Sequence, residues 1–523
     1  MEIPMGYLKP LDVVIVIAYL AGIAAIGLRI ARRQKTTAQY FIANGRIPAW
    51  AVAFTLMATM ISSVTFVAHP GAVFAKNMWG VSSLILVPFV LVFVATVIVP
   101  FYRRVVGMSA YEYLEKRFGI GARIYGSFGF VALRMLDLGF TLYTTAIAAS
   151  VMTGWNISVV ILGVGVFTLI YTMIGGIEGV IWTDVAQGFV LIGGALIMLG
   201  VILFRPEGGP AAVIATAYRG GKFGLGDASL HWSSVYNTSG VPPIWTLVLL
   251  GAIGSARSYI TEQNMVQRYL VARTDRGAKI GVFAGAFACV PIWITFMFIG
   301  AGLWAFYHMG RNSLPADVVA RPDSVLPYFV ATQLPPGLVG LILAAILAAA
   351  QSSISADLNS VSTVVTTDYF ARFRPQSSDR SRLLFGRSVV LVGGLVSTGA
   401  ALLLTNGRAL AANEIAVTVT GIFAAGMLGL FSLGFLTRRC TKLGAYCGIA
   451  SCVIFTAWAT FTGPLKVDIG FNYTMHPAML ALWTQLVLFG VGYAVSVLIP
   501  DRRAKTKGLT IYDRHSVQFE DAS

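Results

Sequence analysis

The stretch from Gly337 to Phe370, GLVGLILAAILAAAQSSISADLNSVSTVVTTDYF, is long enough to cross a bilayer, yet its middle is polar. Gln351, Ser352, Ser353, Ser355, Asp357, Asn359, Ser360 and Ser362 stand where hydrocarbon would favour leucine. Helical spacing puts Ala349, Ser353 and Ser360 on one narrow face with Ser352 within about a quarter-turn of it, and the small Ala356 lets a neighbouring backbone approach. Adjacent hydroxyls beside a main-chain carbonyl are hard, uncharged oxygen ligands. They suit a monovalent cation better than zinc or calcium, which take thiolates, imidazoles or several carboxylates. The competing reading is a Ser-rich helix that only packs against its neighbours, its hydroxyls bonded back to its own carbonyls.

Outward from this stretch the chain is apolar throughout. Of its 523 residues 57% are hydrophobic and 11% charged, where soluble domains carry about a quarter charged, and mean hydropathy is +0.76. The chain is therefore an all-α polytopic membrane protein. Thirteen spans are expected, at 11–30, 49–74, 79–101, 124–152, 156–174, 179–204, 242–266, 280–308, 325–367 (a short outer helix, then the span), 386–405, 411–436, 443–462 and 477–499. The first is followed by Arg32, Arg33 and Lys35 as a stop, so it is expected to stay as a helix and not be removed as a leader. The four cysteines show no metal-ligand spacing, and no structural disulfide is expected.

The net charge of +16 does not indicate nucleic acid, because the basic residues are spread through the loops between spans. With the N-terminus outside, the alternate loops that fall in the cytoplasm hold 27 of the 38 Lys and Arg. This predicts a plasma-membrane protein, in bacteria an inner-membrane one, with an external N-terminus and a cytoplasmic C-terminus. Two arginines, Arg134 and Arg257, are left inside spans.

The second span is interrupted by Thr59, Ser62, Ser63 and Thr65, with His69-Pro70-Gly71 beyond; proline and glycine there predict an unwound or kinked helix. His69 reads as a wet or capped residue near the outer face and not as a ligand. The seventh span is apolar to Ile253 and then carries Gly254, Ser255, Arg257, Ser258, Thr261, Glu262 and Gln263. Counted from the second span, these breaks fall in the first and sixth helices of two five-helix sets, the spacing of an inverted repeat. Arg134 has Asp137 three residues on as a plain helical partner, or its planar fork engages a substrate carboxylate. Arg257 is a second candidate, with Glu262 or Asp137 as plain partners. The external loop after Pro206 is expected to hold a short amphipathic helix near Ala211–Tyr218 and to form part of an outer lid. No Walker motif, GxSxG, HExxH or CxxC pair is present, so neither ATP-driven transport nor a membrane enzyme is indicated.

The segments WAVAFTLMATMISSVTF, GGIEGVIWTDVAQG, TEQNMVQRYLVAR, AAAQSSISADLNSVSTVVTTDYF and GMLGLFSLGFLTRRCTKLGAYCG, in this order, resemble the sodium:solute symporter family, whose members carry sugars, proline, vitamins, monocarboxylates and sialic acid. The resemblance implies a LeuT-type core of two inverted five-helix repeats with one extra N-terminal and two extra C-terminal helices. The expected divisions are 1–48 (extra helix and cytoplasmic loop), 49–241 (first repeat and outer loop), 242–440 (second repeat), 441–500 (two C-terminal helices) and 501–523 (tail, expected to be disordered). It implies a sodium ion held by backbone oxygens of Ala58 and Ile61, the carbonyl of Ala349 and the hydroxyls of Ser352 and Ser353. A further sodium site of some members would draw on Asp184, Ser352 and Ser355, although Ala356 stands where a second serine would help.

Substrate is expected against Met60, Ser62, Ser63, Thr65, Arg134, Ser258 and Tyr259. The lysine and glutamine used by the sugar carriers are missing from 280–308 and 411–436. In the sialic acid branch an arginine of the fourth span engages the carboxylate, and Arg134 resembles it, but the third span has no glutamine such as that branch uses. The expectation is a sodium-coupled importer of an organic acid, sialic acid or a smaller carboxylate, working as a monomer without nucleic-acid partners. The alternatives are a sodium symporter for a neutral sugar, polyol or amino acid and, further off, a channel or membrane sensor.

Overall fold

A computed structural model describes residues 8–32, 34–229, 243–309, 314–406, 418, 420–501 and 507–513. Among these the chain is helical, with only isolated β-bridges. Helix α1 covers Pro10–Ala31, and a short α2, Thr37–Ile42, follows it. The first five-helix set is α3 (Ala49–Met60) with α4 (Ser63–Ala75), α5 (Trp79–Val105), α7 (Ile120–Thr153) and the two halves of α8 (Ile157–Phe204), with α6 (Glu112–Phe118) as a connector. After α9 (Gly209–Arg219) the second set is α10 (Ile244–Thr261) with α11 (Gln263–Leu270), α12 (Asp275–Met309), α14 (Leu338–Phe373), α15 (Asp379–Leu403) and α16 (Thr420–Leu436), preceded in its outer loop by α13 (Val325–Gln333). Helices α17 (Lys442–Thr462) and α18 (Pro477–Leu498) close the chain.

Ten of these helices are long and apolar enough to cross a bilayer, and α3 with α4, bent by 52°, forms an eleventh span. Helix α8 has 48 residues, about 72 Å at ~1.5 Å per residue, more than twice the ~30 Å of hydrocarbon. It is two spans joined at Gly176, whose φ of 56° and ψ of −162° no helix admits; a Cβ there would also lie 2.7 Å from the Tyr40 ring. Helix α16, a shorter apolar helix, falls in the remaining expected span; residues 411–417 and 419, the expected start of that span, lie outside the described residues.

Burial separates the centre from the rim. In the most apolar window of α14, 89% of residues are buried, against 17% in α1. Helix α14 packs on α8, α7, α1, α15, α11 and α3. The polar residues of the opening stretch are therefore enclosed by protein on every side, and none needs to meet lipid. On the outside, large apolar side chains such as Val14, Phe89, Leu395 and Leu498 are exposed, as a lipid-facing surface requires. The N-terminus of α14 is capped from α1: buried Asp12 Oδ1 accepts from Gly337 N at 2.7 Å and Gly340 N at 2.8 Å, which places a carboxylate at the positive end of the helix.

Candidate ion and substrate site

Helix α3 ends at Met60 without proline or glycine. Ile61 leaves the helix at φ −103°, ψ 93°, and α4 restarts at Ser63. The break falls within the expected interruption from Thr59 to Thr65, and the Pro70-Gly71 pair beyond it does not open the chain. Pro70 sits inside α4, where it removes one backbone donor without ending the helix. Because the chain turns at Ile61, the carbonyls of Ala58, Thr59 and Met60 lose the partners a continuing helix would supply.

Helix α14 fills that gap. Ser352 Oγ donates to Ala58 O at 2.9 Å and Ala349 O at 3.1 Å, while Ser353 Oγ donates to Thr59 O at 3.4 Å and Ala349 O at 3.2 Å. Three carbonyl and two hydroxyl oxygens thus converge on one buried spot, at the negative end of the α3 dipole, beside the partnerless hydroxyl of Thr59. A hydroxyl that donates to a carbonyl can rotate and offer its lone pairs, so the same atoms form a neutral oxygen cage of the kind a small monovalent cation takes. Ile61, fully buried, stands at the turn itself. No cluster of three or more His, Cys, Asp or Glu able to hold a metal occurs among the described residues.

The second break is charged. Glu262, at φ −90°, ψ 127°, separates α10 from α11. Arg134 of α7 bonds Glu262, lies 3.4 Å from Asp357 Oδ2 and is 3.6 Å from Asp137 Oδ2. Glu262 also pairs with Arg257 at 2.9 Å and accepts from Ser258 Oγ at 3.0 Å. Asp137, the nearby partner expected from spacing, is thus the loosest of three. Asp357, Asn264 and Arg268 went unrecognised in the sequence as parts of this network: Asn264 Nδ2 donates to Asp357 Oδ1 at 2.8 Å, and fully buried Arg268 reaches Asp184 at 3.2 Å, Thr55 at 3.1 Å and the Asn264 carbonyl at 2.6 Å. Asp357 was visible only as the one ionisable side chain between Leu338 and Thr367.

Between the breaks lies a cavity of about 430 Å³, within the ~300–1,000 Å³ usual for small ligands. It is lined by Met60 and Ser258, one beside each break, and extends along α4 past His69 to Asn77 and Trp79. Helices α5 and α10 meet closely along it: a Cβ on Gly251 would stand 1.9 Å from the Ser83 carbonyl, so only glycine fits. Of the other expected substrate residues, Ser63 is buried and accepts from Thr145 at 2.8 Å, Thr65 is buried, and Tyr259 is buried in the core, its carbonyl accepting from Tyr269 OH at 2.6 Å. None of these three, nor Ser62 or Arg134, lines the cavity. Asp184 is buried with one oxygen committed to Thr55 and Arg268 and the other, Oδ1, without a hydrogen-bond partner; Ser355 Oγ turns back to Ser352 O at 3.2 Å.

An all-helical membrane protein in which two five-helix sets each open on a broken helix, with a residue of each break on one cavity, is a secondary carrier built on an inverted repeat. This chain belongs to the sodium:solute symporter family, whose model matches residues 40–451. It is 33% identical over 450 residues to the sodium/sialic acid symporter NanT of Aliivibrio fischeri, covering 86% of this chain and 87% of that one. To human sodium-coupled monocarboxylate transporter 1 it is 28% identical over 493 residues, covering 91% and 79%. Its structure superposes on a Na+-coupled sialic acid symporter in a substrate-bound outward-open state with a TM-score of 0.86 at 30% identity, covering 94% of this chain and 98% of that one. The Mhp1 transporter, at a TM-score of 0.55 and 14% identity, shares the fold.

Proposed function

We propose that the protein is a sodium-coupled symporter that imports a small organic acid, sialic acid or a smaller carboxylate, by alternating access. The observation that carries this reading is the convergence of the Ala58, Thr59 and Ala349 carbonyls with the Ser352 and Ser353 hydroxyls at the α3–α4 break. Sodium is held there, with Ile61 completing the cage. Bound sodium ties α3 to α14 and stabilises the conformation whose cavity accepts substrate; rocking of one helix set then releases both on the other side. Asp184 Oδ1, with Ser352 and Ser355 on the facing helix, forms a second sodium site.

Substrate occupies the cavity between Met60 and Ser258, next to Ser62, Ser63, Thr65 and Tyr259, and its carboxylate engages Arg134. By the Lys and Arg asymmetry the cavity opens to the exterior, the N-terminus lies outside and the C-terminus in the cytoplasm of a cell whose plasma membrane, in bacteria the inner one, holds the protein. Both breaks come from one chain, so a monomer suffices, and the protein moves its solute without chemical change. One sodium with a monoanion makes the cycle electroneutral, whereas two add a charge worth about 2.3 kcal/mol per 100 mV.

The second reading, a neutral solute, is favoured by one fact: Arg134 is already engaged by Glu262 and Asp357. The test is uptake into proteoliposomes of N-acetylneuraminate, short monocarboxylates, sugars and neutral amino acids, with an inward sodium gradient and with potassium in its place. Sodium-dependent uptake confined to acids supports the main reading; sodium-dependent uptake confined to sugars or amino acids transfers support to the second; uptake indifferent to sodium removes both.

A further inference from the structure

Arg134 is not waiting with a free guanidinium. It faces Glu262, Asp357 and Asp137, and with Arg257 the cluster holds three carboxylates against two guanidinium groups. The third nearby cation, Arg268, is committed to Asp184, Thr55 and the Asn264 carbonyl. One negative charge is therefore in excess in this cluster, which does not itself line the cavity but adjoins it through Ser258, and an anionic substrate that reaches Arg134 adds a second.

The three carboxylates are not equivalent. Glu262 keeps Arg257 at 2.9 Å and Ser258 at 3.0 Å whether or not Arg134 stays. The Asp137 side chain is 41% exposed and can be hydrated. Asp357, with only 10% of its side chain exposed, keeps the Asn264 amide as its hydrogen-bond donor once Arg134 leaves, and Arg268, which favours its charge through space, is committed to Asp184. The remaining neighbours of α14 offer no replacement cation: α3 carries no ionisable side chain from Ala49 to Met60, and α15 none from Ser388 to Leu403.

We propose that Asp357 is an internal competitor for Arg134: it occupies the guanidinium when substrate is absent, has to yield it when a carboxylate binds, and so sets both the anion affinity of the site and the ease with which the anion is let go. A carrier gains from such a residue because release on the far side requires that the substrate not be held too tightly. This rests on the reading that Arg134 receives a substrate carboxylate. Asp357 acts through Arg134 and is a positioning residue, not a substrate ligand.

The experiment is calorimetric binding and proteoliposome uptake, in sodium, of N-acetylneuraminate and of its uncharged methyl ester, by wild-type protein, Asp357→Asn and Asp137→Asn. Asparagine keeps an acceptor for Asn264 and removes the charge. Asp357→Asn is expected to bind the acid about tenfold more tightly, because a like charge next to the anion is removed, to lower its KM and to slow turnover, while leaving the affinity for the ester unchanged. Asp137→Asn, whose charge is hydrated, should move the acid affinity in the same direction by less. The ratio of acid to ester affinity is the readout, because damage to folding or packing moves both ligands together.

Unchanged or weaker acid binding by Asp357→Asn, or an equal change for acid and ester, would overturn the proposal while leaving the carrier reading intact. Should Asp357→Asn not fold, Asp357→Ser, which also removes the charge, takes its place, and an acid-to-ester ratio equal to that of wild type in that protein overturns it. Wild-type protein that binds neither N-acetylneuraminate nor lactate in sodium removes the reading on which it rests, and the proposal with it.

Discussion

The two broken helices of this protein are built from opposite materials. At Ile61–Ser62 the partners are carbonyls and hydroxyls, with no formal charge within the cage. At Glu262 two arginines and three carboxylates converge. The difference reflects what each break is left with when its cargo departs. If the neutral cage takes sodium as proposed, its loss lets the cage close on itself through the Ser352 and Ser353 hydrogen bonds and leaves no bare charge in the membrane. A charged break cannot do that, because an unpaired buried ion is costly. It holds its own counterions, and under the proposal made above a charged solute would enter by exchange.

The sharpest way to break this comparison is at the neutral cage. The double variant Ser352→Ala, Ser353→Ala removes two oxygen ligands, each worth ~1.5–3 kcal/mol when bonded to a charge. The sodium concentration for half-maximal uptake should rise at least about a hundredfold. Sodium titration of uptake checks it, and an unaltered curve would mean the serines only pack.

At the charged break, Arg134→Ala strands Asp357 and should cost about 3–5 kcal/mol of stability, read as a lower Tm of purified protein. Arg134→Lys keeps the charge but loses the planar fork, so KM for a carboxylate substrate should rise about tenfold with sodium affinity nearly unchanged. An equal loss of sodium and substrate affinity would show that the two breaks are not separate.

Smaller effects are expected away from both breaks. Asp12→Ala uncaps α14 at Gly337 and Gly340, with an expected loss of ~1 kcal/mol and a Tm a few degrees lower. Lys222 donates to the carbonyls of Phe74 at 2.7 Å and Lys76 at 2.8 Å, at the end of α4, and Lys222→Met should lose ~0.3–1 kcal/mol of dipole and hydrogen-bond stabilisation. Neither should change sodium or substrate affinity by more than about twofold; thermal unfolding alongside sodium-dependent uptake checks both.

How legible each break was in the sequence follows from the range of its contacts. Span count and order were readable because apolar runs and interruptions are local signals. The neutral cage was readable in type, since Ser352 and Ser353 in the middle of a span ask for a polar partner. The position of its break was readable from the polar run Thr59 to Thr65, but its cause was not: Pro70 and Gly71 are strong punctuation, yet α4 absorbs them and the chain opens at Ile61, where the packing of α14 supplies partners that replace the helix's own.

The charged break was half readable. Arg134 and Glu262 were conspicuous as charges inside spans, and Glu262 was among the expected partners of Arg257. The pairing of Arg134 with Glu262 and Asp357 joins residues 128 and 223 positions apart. Helical periodicity sees only neighbours three or four away, so it offered Asp137. The same limit hid the junction of Arg268 with Asp184, 84 positions apart.

The most direct test of the neutral cage is equilibrium binding of radiolabelled sodium to purified protein, comparing wild type, the Ser352→Ala, Ser353→Ala double variant and Arg134→Lys. Saturable binding in wild type and in Arg134→Lys, lost in the double serine variant, is the predicted result. Sodium binding that survives loss of both serines, or that disappears with Arg134→Lys alone, would contradict the account.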